Sequence, residues 1–289
     1  MALHTSFLTH ARGRYLWIAL LVALGSGIAY VVNDPVEPAN GGTPLGYTLG
    51  TVGALLILWL AYLGKRKRNF VRGWGTVRGW VSAHVYLGTA LLIVATLHTG
   101  FQFGMNIHTL AYMLMVLVIF SGIFGVFAYR AYPSARNDLK KQNSLDDLFH
   151  QIEELEAQLT RMAVNSPEDI SSIIKSSIDR TEVGGGFFDQ LLARDKSVVE
   201  LEGAVRKNIN QELALDYLLS RGKDLKGEEL TALNDLIRVF NSRKGLLDAV
   251  RNDIKMLAVL QVWLYIHVPT TFALISALLA HIFSVFVYW

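Results

Sequence analysis

Four histidines stand where an apolar helix would ordinarily exclude them. His84 and His98 lie in WVSAHVYLGTALLIVATLHTGF, and His267 and His281 lie in LQVWLYIHVPTTFALISALLAHIFSVFVYW. Each pair is separated by 14 positions. On an α-helix that interval is about 1400° of rotation, roughly 40° short of four turns, with a rise of about 21 Å. Both histidines of a pair therefore face the same side of their helix at two depths. A histidine inside a membrane-spanning helix is costly and by default marks function. Core packing or a proton relay explains one such residue more readily than four in two pairs at one repeated interval. Two such helices facing each other would offer two bis-imidazole sites, the axial ligand set of two b-type haems. Six-coordinate iron of this kind suits electron transfer better than oxygen binding or substrate chemistry.

A ligand imidazole needs a hydrogen-bond partner for its second nitrogen. Thr99, Ser121, Thr270, Thr271 and Ser276 are the polar residues at hand. A flat macrocycle also needs small residues beside its ligands. Gly88 is one turn past His84, and Gly100 is two residues past His98. Gly122 and Gly125 form a small-residue pattern that serves helix packing at least as well. Haem propionates seek cations, and Arg72 and Arg78 lie just before the first histidine segment, on the His84 side. Each is a candidate partner of an inner propionate, or a topology charge with no such contact. His108 follows Asn106 and opens the next apolar run on the side of His98. It fits an interfacial histidine among head groups, and also a group that binds a quinone oxygen, a propionate or a proton. His4, His10 and His150 have no partner legible in the sequence. Trp74, Trp80, Trp263 and Trp289 fit an aromatic belt at a membrane surface.

The elements that must carry these residues are apolar and long. The chain is 52% hydrophobic with a mean hydropathy of +0.34. No Asp, Glu, Lys or Arg occurs within 15–33, 41–64, 79–129 or 256–289. A spanning helix needs about 20 apolar residues, so five spans are expected near 15–33, 46–64, 80–103, 107–129 and 261–288. Lys65, Arg66, Lys67, Arg68, Arg72 and Arg78 crowd the second loop, whereas the first loop carries only Asp34 and Glu37. The positive-inside rule then places the N-terminus and the basic loop in the cytoplasm and the C-terminus outside. The net charge of +3 is thus a topology signal, with lipid as the surrounding partner and no nucleic acid implied. The expected setting is a bacterial inner membrane. With one span between them, spans three and five run parallel, which pairs His84 with His267 on the inner side and His98 with His281 on the outer side.

The chain has no cysteine, which excludes c-type haem attachment, cysteine-ligated clusters and thiol chemistry. Gly184, Gly185 and Gly186 lack the Lys of a Walker loop and the spacing of a dinucleotide loop, and read as a flexible break. The expected organisation is a membrane part over 1–130, a cytoplasmic helical insert over 131–255, and the fifth span over 256–289. In the insert, Leu145, Leu148, Ile152, Leu155, Leu159 and Met162 form an a/d seam for a short coiled coil, with Ser144 as its N-cap. Further helices are expected near 168, over 187–220 and over 228–255. The last carries a weaker seam interrupted by Lys244 and Arg251, and runs without a break into span five. This predicts an antiparallel helical stalk, either a plain packing hairpin or a docking surface for a partner subunit. The fold class is all-α.

Two spans that each carry His-x13-His resemble the di-haem cytochrome b architecture, shared in outline by quinol–cytochrome c reductases and ferric-reductase-like membrane domains. Placement on spans three and five is similar to the second group. The resemblance rests on about 55 residues. It implies axial ligation by His84, His98, His267 and His281, and exchange of electrons with quinone. Ferric-reductase-like proteins usually have a sixth span and a flavin–nicotinamide domain, and neither pattern occurs here. The expectation is therefore an electron-transfer subunit of an oxidoreductase complex, holding two haems b and depending on other redox subunits. The alternatives are a self-contained transmembrane reductase of ferric chelate or oxygen, and a non-haem membrane scaffold with a partner-recruiting coiled coil.

Overall fold

A computed structural model describes residues 7–33, 39–68, 75–139 and 145–287. His4, Arg72, Trp74, Ser144 and Trp289 lie outside the described residues. In chain order the elements are α1 (Arg14–Val32), α2 (Pro44–Ala61), α3 (Leu63–Arg68), α4 (Val77–Thr99), α5 (Ile107–Leu139), α6 (Leu145–Ala163), α7 (Glu168–Asp179), α8 (Phe187–Leu191), β1 (Val198–Leu201), β2 (Ala204–Lys207), α9 (Glu212–Arg221) and α10 (Glu228–Val287). The chain divides into two compact units, Met1–Phe127 with Trp263–Trp289, and Ala128–Val262.

The first unit is a helix bundle. Among the described residues, five helices are long and apolar enough to cross a membrane: His10–Val32, Pro44–Arg66, Val77–Thr99, Ile107–Arg130 and a stretch within Glu228–Val287. Local signals set their ends. Thr43 caps α2 by accepting from the Gly46 N–H at 3.1 Å, with Pro44 at the first helical position. Thr76 caps α4 in the same way through the Gly79 N–H. Gly100 ends α4 in the left-handed region, at φ +58°, and a Cβ there would collide with the Ala39 carbonyl. Packing against that backbone explains Gly100 without any ligand. Asn106 caps α5 by accepting from the Thr109 N–H at 3.0 Å.

The bundle core joins α2, α4, α5 and α10 through buried Ile57, Leu60, Leu91, Met115, Leu274 and Leu278. Large apolar side chains, among them Leu21, Ile28, Phe120, Leu279 and Phe283, remain exposed. Trp80 stacks on Trp59 with ring centroids 4.8 Å apart, so its ring packs between helices. His10 stacks on Tyr15. Arg66, one of the basic-loop residues, is buried and donates to the Gly75 carbonyl at 2.8 Å.

The second unit amends the expected helical stalk. The α6 seam is buried at Leu148, Ile152 and Leu159, and it packs against Leu247 and Val250 in one cluster and Leu233, Leu236 and Phe240 in another. Between these helices, however, the stretch expected to be helical over 187–220 contains an antiparallel hairpin, with Val198 opposite Lys207 and Leu201 opposite Ala204. Glu202 and Gly203 form its two-residue turn with φ of +53° and +76°, the positive pair that matches strand twist. Arg251, which interrupts the seam in sequence, is buried and pairs with buried Asp195 at 2.9 Å. Arg243 is likewise buried, held by Glu156 at 2.7 Å and by Gln211 and Thr181.

Candidate functional site: two histidine pairs

The first unit brings the four histidines together in two pairs. The rings of His84 and His267 have centroids 6.5 Å apart at an interplanar angle of 64°. Those of His98 and His281 are 6.0 Å apart at 83°. The offset in sequence is the same for both pairs, as parallel α4 and α10 segments require. An imidazole nitrogen sits about 2.0–2.1 Å from a bound transition metal and the ring centre roughly 1.2 Å behind it, so two axial rings on one metal have centres about 6.4 Å apart. Both observed separations lie close to that value.

The second nitrogens are already engaged. His84 Nδ1 is 3.1 Å from the Leu60 carbonyl, and His98 Nδ1 is 2.7 Å from the Gly46 carbonyl. A carbonyl oxygen only accepts, so both rings carry the proton on Nδ1 and leave Nε2 with its lone pair. Leu60 lies in the last turn of α2, where carbonyls run out of intrahelical donors. His267 Nδ1 is 2.7 Å from the Ser121 hydroxyl. That hydroxyl donates to the Val118 carbonyl at 2.8 Å, which makes its oxygen the acceptor and gives His267 the same tautomer. Trp263 Nε1 donates to the Ser121 carbonyl at 2.8 Å and lies against Gly125, so it braces this site and is not simply a belt residue. Of the five polar candidates, Ser121 alone reaches a ligand ring. Thr99 and Thr270 bond back to Thr96 and Ile266, and Thr271 bonds to the backbone carbonyl of His267.

Glycines shape the surroundings of His98. A Cβ at Gly50 would come within 2.7 Å of its Cε1, and one at Gly41 within 3.1 Å. These contacts from α2 and the loop before it were not among the sequence candidates. A Cβ added at Gly122 would meet the His267 ring at 3.5 Å, an ordinary contact, whereas one at Gly88 would meet nothing within 4 Å beyond its own stretch of helix. The space at Gly88, one turn from His84, is open. Arg78 is exposed in the first turn of α4, toward the His84 end. His108 is brought to His281, with ring centroids 4.6 Å apart.

No protein-family model, curated protein or solved structure matches this chain. The chemistry of the site rests on its own geometry. Among the described residues no three or more His, Asp or Glu side chains are placed to hold one metal ion. Bare transition-metal sites draw four or more ligands from the protein and solvent. Each level of the bundle offers two imidazoles with centres about 6 Å apart.

Proposed function

We propose that this chain is an integral membrane cytochrome b that carries electrons between two haems b. His84 and His267 would hold the inner haem, and His98 and His281 the outer one. The observation that supports this best is the pairing at 6.5 and 6.0 Å of rings that keep Nε2 unprotonated. A bound haem supplies a one-electron couple that changes little in geometry on reduction. The residues do the rest. Leu60, Gly46 and Ser121 hold the rings in one tautomer and one orientation, which raises their basicity as ligands. Gly88 leaves room for the inner macrocycle, and Arg78 stands at that end of α4 as a cation for a propionate. The exposed apolar side chains of the bundle suit lipid contact.

The basic loop after α2 orients the bundle with that loop in the cytoplasm, and the 131–255 insert on the same side. Quinone and further redox subunits are the proposed electron partners. The test is a pyridine haemochrome assay on the purified full-length chain, which should give two haems b per chain. His98→Ala or His281→Ala should reduce that to one. A correctly folded wild-type chain that purifies without haem, and takes up none when haem is added, overturns the proposal.

A further inference from the structure

The fourth ligand ring is held differently from the other three. His84 and His98 donate to backbone carbonyls and His267 donates to a hydroxyl. His281 Nδ1 instead faces Nδ1 of another imidazole, that of His108. The rings meet edge to face, perpendicular, with centroids 4.6 Å apart. The backbone of His108 is held in the first turn of α5. There Asn106 accepts from the Thr109 N–H through its side chain at 3.0 Å and from the Leu110 N–H through its carbonyl at 3.1 Å. His281 is partly buried, whereas His108 is exposed.

We infer that His108 is the positioning residue of the His98/His281 site, its Nδ1 accepting the Nδ1–H of His281. This rests on the haem reading above. If Nε2 of His281 is on the iron, its Nδ1 must carry the proton, and His108 Nδ1 must be the lone-pair partner. The proton of neutral His108 then lies on Nε2. An imidazole nitrogen is a more basic acceptor than an amide carbonyl or a hydroxyl, so His281 becomes the strongest donor of the four rings. Stronger donation favours ferric iron. His108 therefore lowers the potential of the outer haem and leaves the inner one untouched, since Ser121 and Leu60 hold that site independently.

The test is a spectroscopic redox titration, with low-temperature EPR of the oxidised form, on full-length wild type, His108→Leu and His108→Gln. Leucine removes the acceptor, and the glutamine carbonyl restores a weaker one. Only one of the two haem components should move to higher potential and change its g values in His108→Leu, with a smaller shift in His108→Gln. Wild-type potentials and g values in His108→Leu overturn the inference, as do equal shifts of both components or loss of the same haem from both variants. Wild type that holds no haem fails the functional reading instead, so the two failures are distinguishable.

Discussion

On the proposed reading, Gly50→Ala should empty one haem site and leave the other filled. The new Cβ would lie 2.7 Å from His98 Cε1, 2.9 Å from Nδ1 and 3.2 Å from Nε2. Carbon–carbon contacts settle at about 3.5–4.0 Å, so the ring must retreat by roughly 1 Å. The same ring is tied to the Gly46 carbonyl at 2.7 Å, and a retreat of that size takes the bond beyond the usual limit of about 3.2 Å. Metal–ligand distances tolerate only about 0.2 Å. The helix itself should benefit, because Ala in a helix interior is more favourable than Gly by roughly 0.5–1 kcal/mol. Lost haem would therefore not reflect a lost fold. Gly53→Ala is the control one turn along α2, where a Cβ meets Leu91 at an ordinary 3.7 Å. Haem per chain by pyridine haemochrome should fall from two to one in Gly50→Ala and stay at two in Gly53→Ala, with helical content by circular dichroism unchanged in both. Two haems with wild-type spectra in Gly50→Ala would refute the reasoning.

Three further perturbations test other parts of the molecule. Ser121→Ala removes the acceptor of the His267 Nδ1–H and should weaken haem binding at the His84/His267 site by about 10–100-fold in a haem titration of the apoprotein. Ser121→Thr should restore it, and equal affinity in all three proteins would contradict the tautomer assignment. Arg251→Ala leaves buried Asp195 without its partner and should destabilise the insert by about 3–5 kcal/mol in chemical denaturation. A change under about 1 kcal/mol, the size expected of an exposed pair, would show that the pair is solvated. Burial alone would raise the Asp169 carboxyl, but the hydrogen bonds from Arg221 and Tyr217 outweigh it and hold it below the usual carboxylate range. A depressed carboxyl adds stability that is present above its unfolded pKa of about 3.9 and is lost as pH falls through the folded value. Asp169→Asn should accordingly melt below wild type at neutral pH and converge with it in acid, and a gap that persists into acid would contradict the assignment.

The parts of this molecule that were legible in its sequence are those written in side-chain type and period. The 14-residue interval and the charge-free runs announced the two histidine pairs and the five long apolar helices, and the unbroken helical pattern from 228 onward matches α10. The partners that hold the rings were much less visible. Two of them are carbonyls, at Gly46 and Leu60, and every residue has a carbonyl, so no letter marks the ones that matter. Gly41, Gly46 and Gly50 were the available clue, since small residues on the helix preceding a histidine segment allow an imidazole close approach. Arg251 read as a break in a seam because its partner Asp195 is remote in sequence. The hairpin is the least legible element of the insert. Val198 to Lys207 has no period of two, since Val198-Val199 and Ala204-Val205 are adjacent apolar pairs, and only Glu202-Gly203 marks a turn between leucine-rich stretches.

The spacing that aligns the histidines also fixes what lies between them. Fourteen residues are two heptads, so the residue seven positions past each inner histidine falls on the same helix face, midway between the two levels. Those residues are Leu91 on α4 and Leu274 on α10. Both are buried, and both belong to the core that joins α2, α4, α5 and α10. A polar residue there would have needed a partner or a water in a low-dielectric interior. Leucine on both helices keeps the middle of the interval apolar, and Thr271, nearer His267 on the same face, is bonded back to that residue's carbonyl. Electrons can cross such a layer, whereas a proton cannot move without a chain of donors and acceptors. On the proposed reading the two sites are therefore coupled for charge carried by electrons and separated for charge carried by protons. Leu91→Asn with Leu274→Asn should let water or protons into the layer without touching any ligand, and in reconstituted vesicles the pair should raise the passive proton leak over wild type while the chain keeps two haems. An unchanged leak at full haem content would show that the dry layer lies elsewhere in the bundle.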